Sequence, residues 1–236
     1  MVLVPDSPGC GESDLPEEAT AEGIARSLWR DLDELVGPIA EVNLLGFSYG
    51  GGIAGTMTVL KQERVRRLIL VGSGGLGLRR PGRLPLVRWR GLDEAARTEA
   101  HRLNLAMLMI AKPENIDDLA VLLQGINAPA CRIDTPRIIR DVHLDISLAD
   151  SRVPVSGIWG ELDATVDDGF SRHEALLKRF DPGSELIVIP DLGHWVQYEG
   201  AGIFNAILLP LLEQQRRWGE TLGLRHHAPT YSGANA

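Results

Sequence analysis

The chain has 236 residues, 44% hydrophobic, 24% charged and 5% aromatic, which excludes a disordered or collagen-like chain and supplies one core with an insertion. Its 24 basic and 32 acidic side chains leave a net charge of −8, which argues against nucleic-acid or anionic-membrane binding through the overall field. The two cysteines, Cys10 and Cys131, make neither a disulfide framework nor a cysteine zinc site.

Residues 2–4 are a short apolar run before Pro5 and predict the end of a buried strand. Asp6-Ser7-Pro8-Gly9-Cys10-Gly11-Glu12-Ser13-Asp14 is a turn-rich loop. Over residues 17–36, Ile24, Leu28, Leu32, Leu35 and Val36 recur at helical spacing, and Gly37-Pro38 stops the helix. Residues 42–45 predict a strand, 46–52 a glycine-dense turn, 53–60 a helix and 67–71 a second buried strand. Residues 76–91 read as an irregular connection, in which Arg79, Arg80, Arg83, Arg88 and Arg90 are solvated rather than an anion site. Helical patterns follow over 95–110 and 116–123, with no convincing strand up to 148. A strand at 153–159, a helix at 169–180, a strand at 185–189 and a helix at 202–217 kinked by Pro210 complete the pattern. Beyond Trp218 the chain is polar and predicted loose. No apolar run approaches the roughly 18 residues of a membrane span; the longest, residues 105–111, is assigned to a core helix. The first residues lack the basic start and apolar stretch of a signal peptide, so the expected compartment is the cytoplasm.

Short continuous apolar strands alternating with helices predict an α/β fold, a mostly parallel sheet with helices on both faces. The expected division is a first core part at 1–75, a helical insertion at 76–150 over one edge of the sheet, a second core part at 151–217 and a tail at 218–236.

Gly46-Phe47-Ser48-Tyr49-Gly50 matches G-x-S-x-G. The match gains weight from its setting, after an apolar strand and at the start of a helix, where a serine sits on a sharp turn with its hydroxyl exposed. Small residues are expected at Gly46, Gly50, Gly51 and Gly52 because that turn crowds the backbone. A serine hydroxyl needs a base to take its proton. Of the six histidines, His194 is favoured, because it lies in a loop past the strand at 185–189, at the sheet edge where parallel sheets place their sites. His101, His143, His173, His226 and His227 are expected to be solvated or locally bonded. The base needs a carboxylate to hold its tautomer. Asp163, past the strand at 153–159, is preferred over Glu161, Asp167 and Asp168, one of the last two being expected to cap the next helix. The order Ser48, Asp163, His194 is that of an α/β-hydrolase. No metal constellation is evident: H-E-x-x-H and clustered ligands are both missing.

On these residues the chain resembles the α/β-hydrolase superfamily over nearly its whole length. The loop at 6–13, the serine turn, Gly160-Glu161-Leu162-Asp163 and Gly193-His194 follow one another in the family's order. The resemblance implies that the insertion at 76–150 is a helical cap over a pocket. It implies Ser48 as nucleophile, His194 as base, Asp163 as its partner and the N–H of Tyr49 as one oxyanion donor. The segment Gly193-His194-Trp195-Val196-Gln197-Tyr198-Glu199, with Phe204-Asn205 after it, is similar to the meta-cleavage product hydrolases, which cleave carbon–carbon bonds in ring-fission products. That likeness sets Trp195 near substrate; packing against the last helix is an equal alternative. The implied activity is hydrolysis of an ester or carbon–carbon bond of a small carbonyl compound, with no cofactor, no nucleic acid, no membrane and homo-oligomerisation left open.

The sequence departs from the family's pattern in one respect. The family's early strands and the His-Gly loop that supplies the second oxyanion donor do not precede Ser48. Three explanations are kept, the first preferred: a mis-set start, a fragment completed by a partner, or an altered fold with lost activity. The expectation is a gap in the sheet, an exposed apolar edge and a rate reduced by about 100- to 1,000-fold. The competing function is a catalytically impaired or partner-completed binding protein.

Overall fold

The structure is a computed structural model that describes residues 1–78, 84–167 and 169–213. In chain order the main elements are α1 (Ala21–Val36), β1 (Val42–Phe47), α2 (Tyr49–Leu60), β2 (Val65–Val71), α3 (Glu94–Asn104), α4 (Asp118–Ala130), α5 (Thr135–Arg140), α6 (Leu144–Ser147), β3 (Val155–Gly160), α7 (Ser171–Phe180), β4 (Glu185–Ile189), α8 (Val196–Glu199) and α9 (Ala201–Glu213).

The four strands form one parallel sheet in the order β1-β2-β3-β4. A parallel neighbour can be reached only through a crossover, so helices cover both faces and the central strands lose all contact with water. Leu68, Ile69, Leu70 and Val71 of β2 and Val155 and Ile158 of β3 are fully buried. Each such side chain contributes roughly 1.5–3 kcal/mol. Their alternation divides the core. Leu68, Leu70, Val155 and Trp159 face the side covered by α1, α2 and α7, with Ile24, Trp29, Ile53, Met57 and Leu177. Ile69, Val71 and Ile158 face the side covered by α8 and α9, with Val196, Phe204 and Leu211. A third cluster, Leu105, Ile110, Ile116, Ala120 and Val121, lies in the segment between β2 and β3, with Trp195 and Tyr198 packed against it.

Helix α1 starts four residues later than its apolar spacing predicts, because Thr20 Oγ1 accepts from the Gly23 N–H and sets the N-cap there. Its buried stripe is Ile24, Ala25 and Trp29, whereas Leu35 is exposed. The Trp29 indole N–H donates to Met57 O at 2.9 Å and joins α1 to α2. The apolar run 105–111 is not a regular helix: residues 105–109 close as a single wide turn with Ile110 N–H donating to Leu105 O. Such turns bulge a helix where its side chains must be re-aimed.

Residues 2–4 form no strand. Val2 and Val4 are more than four-fifths exposed and Leu3 is 43% exposed. An extended segment becomes a strand only when a neighbour takes its backbone hydrogen bonds, and none does among the described residues. Among the described residues β1 is one edge of the sheet, paired only with β2, with Leu45 43% exposed, and β4 is the other edge. The last part of the helix expected at 202–217 and the tail beyond it lie outside the described residues, as do Arg79, Arg80 and Arg83. Arg88 and Arg90 are exposed, and Arg90 lies over the Trp89 ring at 4.4 Å. No described helix is long and apolar enough to cross a membrane.

Candidate active site

Parallel strands end at one edge, so the residues just past each end converge. Ser48 follows β1, Gly72 follows β2, Asp163 lies three residues past β3 and His194 five past β4. Backbone bonds carry the ladder beyond the strands. The Ser48 N–H donates to Val71 O at 2.8 Å, Gly72 N–H to Ile158 O at 3.0 Å and Glu161 N–H to Ile189 O at 2.9 Å.

The turn at Ser48 is strained, with φ 51° and ψ −116°. A non-glycine residue there costs of order 1–3 kcal/mol, and the surroundings hold it. Ser48 O accepts from the N–H groups of Gly51 and Gly74, both at 3.0 Å. A side chain at Gly46 would collide with the backbone of Gly50 and Gly51, and one at Gly51 with Ser73. Gly50 differs from expectation: a Cβ there would meet open space, so crowding does not explain that glycine. Tyr49 opens α2, and its N–H is one of the donors that a helix's first turn leaves unpaired internally.

Ser48 Oγ lies 2.9 Å from His194 Nε2, and Asp163 Oδ2 lies 2.8 Å from His194 Nδ1. With Nδ1 protonated, the imidazole donates to the carboxylate and its free Nε2 accepts the serine O–H. Asp163 and His194 are each only 3% exposed, and a buried charge-assisted bond of this kind has no water to compete with it. The other carboxylate oxygen, Oδ1, accepts from Thr165 N–H at 2.8 Å and Thr165 Oγ1 at 2.7 Å. The Phe47 ring lies 4.9 Å from the imidazole. The arrangement holds a hydroxyl against a base whose far side rests on an anion, which suits proton abstraction from that hydroxyl.

The alternatives fall elsewhere. Glu161 is exposed and its carboxylate accepts from Asp191 N–H at 3.2 Å. Asp167 is exposed and does not cap α7, whose N-cap is Phe170 without a side-chain bond; Asp168 lies outside the described residues. His143 is exposed, and His226 and His227 lie outside the described residues. His101 overturns the expectation of a solvated or bonded ring. It is 2% exposed, neither ring nitrogen has a hydrogen-bond partner among the described residues, and it packs 5.3 Å from the Trp89 ring. Burial holds its pKa below the ordinary imidazole value, with the nearby Arg97 charge adding to the shift. His173 lies against Trp159 and Phe170, its pKa also lowered, mainly by burial. Trp195 stacks on Tyr198 at 4.4 Å, and its backbone N–H donates to Met109 O at 2.7 Å.

Three residues that shape the site went unassigned in the sequence. Gly72 has φ +49°, and a Cβ there would stand 3.0 Å from His194 Nδ1 and 3.3 Å from Asp163 Oδ2. The imidazole occupies the space that this glycine leaves. Thr165, two residues past Asp163, carries the spacing of a local side-chain turn, a signal that could have been read. Glu199 gathers four donors: Gly193 N–H at 2.7 Å, Lys112 N–H at 2.8 Å, Ala111 N–H at 3.2 Å and Asn115 Nδ2 at 3.3 Å. It ties the loop of His194 to the segment between β2 and β3. Only its place five residues past the histidine hinted at this.

The fold and the strand-end site define an α/β-hydrolase. The profile of the Alpha/beta hydrolase family matches residues 2–206, and the chain belongs to that family. The 2-hydroxy-6-oxononadienedioate/2-hydroxy-6-oxononatrienedioate hydrolase of Escherichia coli K12 is 29% identical over 228 residues, an alignment covering 89% of this chain and 76% of that protein. The meta-cleavage product hydrolase of Pseudomonas fluorescens IP01 superposes with a TM-score of 0.67 at 21% identity, covering 86% of this chain and 76% of that one. The esterase of Exiguobacterium antarcticum superposes with a TM-score of 0.68 at 23% identity, covering 88% and 80%. The Escherichia coli relative is thus a hydrolase, and the two solved structures share the fold of this chain.

Proposed function

We propose that this protein is a serine hydrolase that cleaves an ester or carbon–carbon bond of a small carbonyl compound. The observation that carries the reading is the pair of contacts at His194, 2.9 Å to Ser48 Oγ and 2.8 Å to Asp163 Oδ2. Ser48 Oγ attacks the carbonyl carbon while His194 Nε2 takes its proton. Asp163 holds the imidazole in the Nδ1–H tautomer and stabilises the imidazolium. The oxyanion is met by the Tyr49 N–H, whose helix-end partial charge favours an anion. His194 then returns the proton to the leaving group, and water, activated by the same imidazole, releases the acyl-enzyme. In the carbon–carbon version, suggested by the Escherichia coli relative, the substrate is a dienoic keto acid and proton transfer precedes attack.

In this reading the segment 76–150 is a cap, and the pocket lies between it and the strand ends. Trp195, next to the base and half-buried, borders the substrate while also packing against the cap residues around Leu105 and Ile110. The chemistry calls for no cofactor and for a small-molecule partner rather than nucleic acid or membrane; a cytoplasmic setting fits the acidic composition.

A fluorophosphonate probe tests the assignment. It is expected to label the wild type at Ser48, to leave Ser48→Ala unlabelled, and to label His194→Ala more slowly by about 10⁴-fold. Folded wild-type protein that resists the probe and turns over no activated ester would overturn the reading in favour of a binding protein of the same fold.

A further inference from the structure

Cys10 and Cys131 are 121 residues apart in the chain, yet their sulfurs are 3.4 Å apart in a thiol–thiol hydrogen bond. Cys10 belongs to the loop 6–14, and Cys131 is the C-cap of α4. The main chains around them are already docked. The Arg132 N–H donates to Gly9 O at 2.9 Å, and the Arg132 guanidinium reaches Ser13 O. A Cβ on Gly9 would meet Ile133 Cγ2 at 2.6 Å, so the approach depends on a glycine beside the cysteine. Closing the sulfurs from 3.4 Å to a bond of about 2.05 Å asks for side-chain rotation more than for backbone movement. Among the described residues no group of three or more His, Cys, Asp or Glu side chains gathers to hold a metal, so the pair's available chemistry is that of two thiols.

We propose that Cys10 and Cys131 are an oxidisable dithiol that closes reversibly into an intramolecular disulfide, tying the loop 6–14 to the segment between β2 and β3. The oxidant is a peroxide. The Cys131 sulfur attacks one peroxide oxygen, the O–O bond breaks, water leaves and a sulfenic acid forms on Cys131. The Cys10 sulfur then attacks that sulfur, the S–O bond breaks and a second water leaves. In sum, two thiols and one hydrogen peroxide give one disulfide and two waters, the sulfurs losing the two electrons that the peroxide gains. The order follows from the bond between them: the Cys10 thiol donates to the Cys131 sulfur, which leaves Cys131 as the acceptor and first nucleophile. Burial first, and that bond second, push the Cys10 thiol up to about 12.

The pair borders the candidate site. Tyr49, next to Ser48, has its phenol pushed up to about 12 by burial, and both cysteines add to that shift as near neighbours. The consequence for turnover rests on the hydrolase reading above. A disulfide here prevents the loop and the cap from parting, and the oxidised form hydrolyses esters several-fold more slowly.

The test takes the full chain, reduced and then treated with a small excess of hydrogen peroxide. Intact mass should fall by about two hydrogens, unreduced peptide maps should join the Cys10 and Cys131 peptides, and dithiothreitol should reverse both. Closing so long a loop should also raise Tm by about 5–10 °C. Cys10→Ser should instead gain oxygen at Cys131 under the same treatment. Two titratable thiols persisting in the treated wild type, a stable sulfinic acid, or disulfide-linked dimers would each overturn the dithiol. The mass readout needs no activity, so it stands apart from the probe experiment. A chain that closes the bond but takes no probe overturns the hydrolase reading alone, and equal ester turnover by both forms overturns the regulatory consequence alone.

Discussion

Ser48, Gly72, Asp163 and His194 each lie within five residues of the carboxyl end of a strand, whereas Met109, Ala111, Lys112 and Cys131 reach the same neighbourhood from a segment with no strand among its described residues. The first group takes its position from sheet register. Once Ile158 pairs with Val71 and with Ile187, the loops that follow have little freedom in where they begin. The second group is held by a few separate bonds: Glu199 on three groups of residues 111–115, Met109 O on Trp195 N–H, and Gly9 O on Arg132 N–H. In the proposed reading, a site assembled this way has a stiff floor and a roof attached at points. Disturbing the floor should change chemistry, and disturbing the attachments should change access and local stability.

The largest effect is expected at the floor. Asp163→Asn keeps the shape but reverses one hydrogen bond, leaving His194 in the wrong tautomer, and ester turnover should fall by about 10⁴-fold with the melting temperature little changed. Asp167→Asn, measured alongside, should be close to wild type; the opposite result would move the acid and break the picture of strand-end convergence. Gly72→Ala tests the same floor more gently. It sets a Cβ 3.0 Å from the imidazole at φ +49°, so kcat should fall by about 100-fold and stability by about 1–2 kcal/mol. An unchanged kcat would mean that the ring has room to move.

Glu199→Gln probes an attachment. One amide cannot replace a carboxylate facing four donors, so a loss of about 2 kcal/mol in urea unfolding and a roughly 10-fold loss of turnover are expected. If turnover collapsed as far as in Asp163→Asn, the distinction between floor and roof would fail. The smallest effect concerns pH. His101 and His173 have pKa values lowered chiefly by burial, so between the ordinary imidazole value and the lowered one the unfolded chain binds protons that the native chain refuses. Stability should therefore be full above about pH 6.5 and decline as pH falls below it. His101→Phe should flatten part of that decline, as read from urea midpoints at pH 7.5 and 5.5.

Much of the floor could be read from sequence because it is built locally. A strand read at 185–189 is the β4 observed, and G-x-S-x-G between a strand and a helix announces its own turn. That Asp163 and His194 meet at one edge could be read because both sit past apolar runs whose direction is shared. Residues 2–4 failed for the complementary reason. Their composition suits a strand, but strand formation depends on a neighbour, and apolar character alone supplies none. His101 failed likewise: its polarity says surface, and only the packing of α3 against Trp89 puts it inside.

Apolar periodicity and turn chemistry, which act over a handful of residues, by themselves determined the α/β alternation, the parallel sheet, the strained serine turn and the order of its partners. Tertiary structure alone decided what depends on segments meeting from afar: Gly72 vacating space for a ring 122 positions later, Glu199 clamping residues 111–115, and two cysteines brought to 3.4 Å across 121 positions. Those contacts follow from how helices settle on the sheet's faces and edge, a balance of buried area and satisfied hydrogen bonds over the whole molecule that no short stretch of chain encodes.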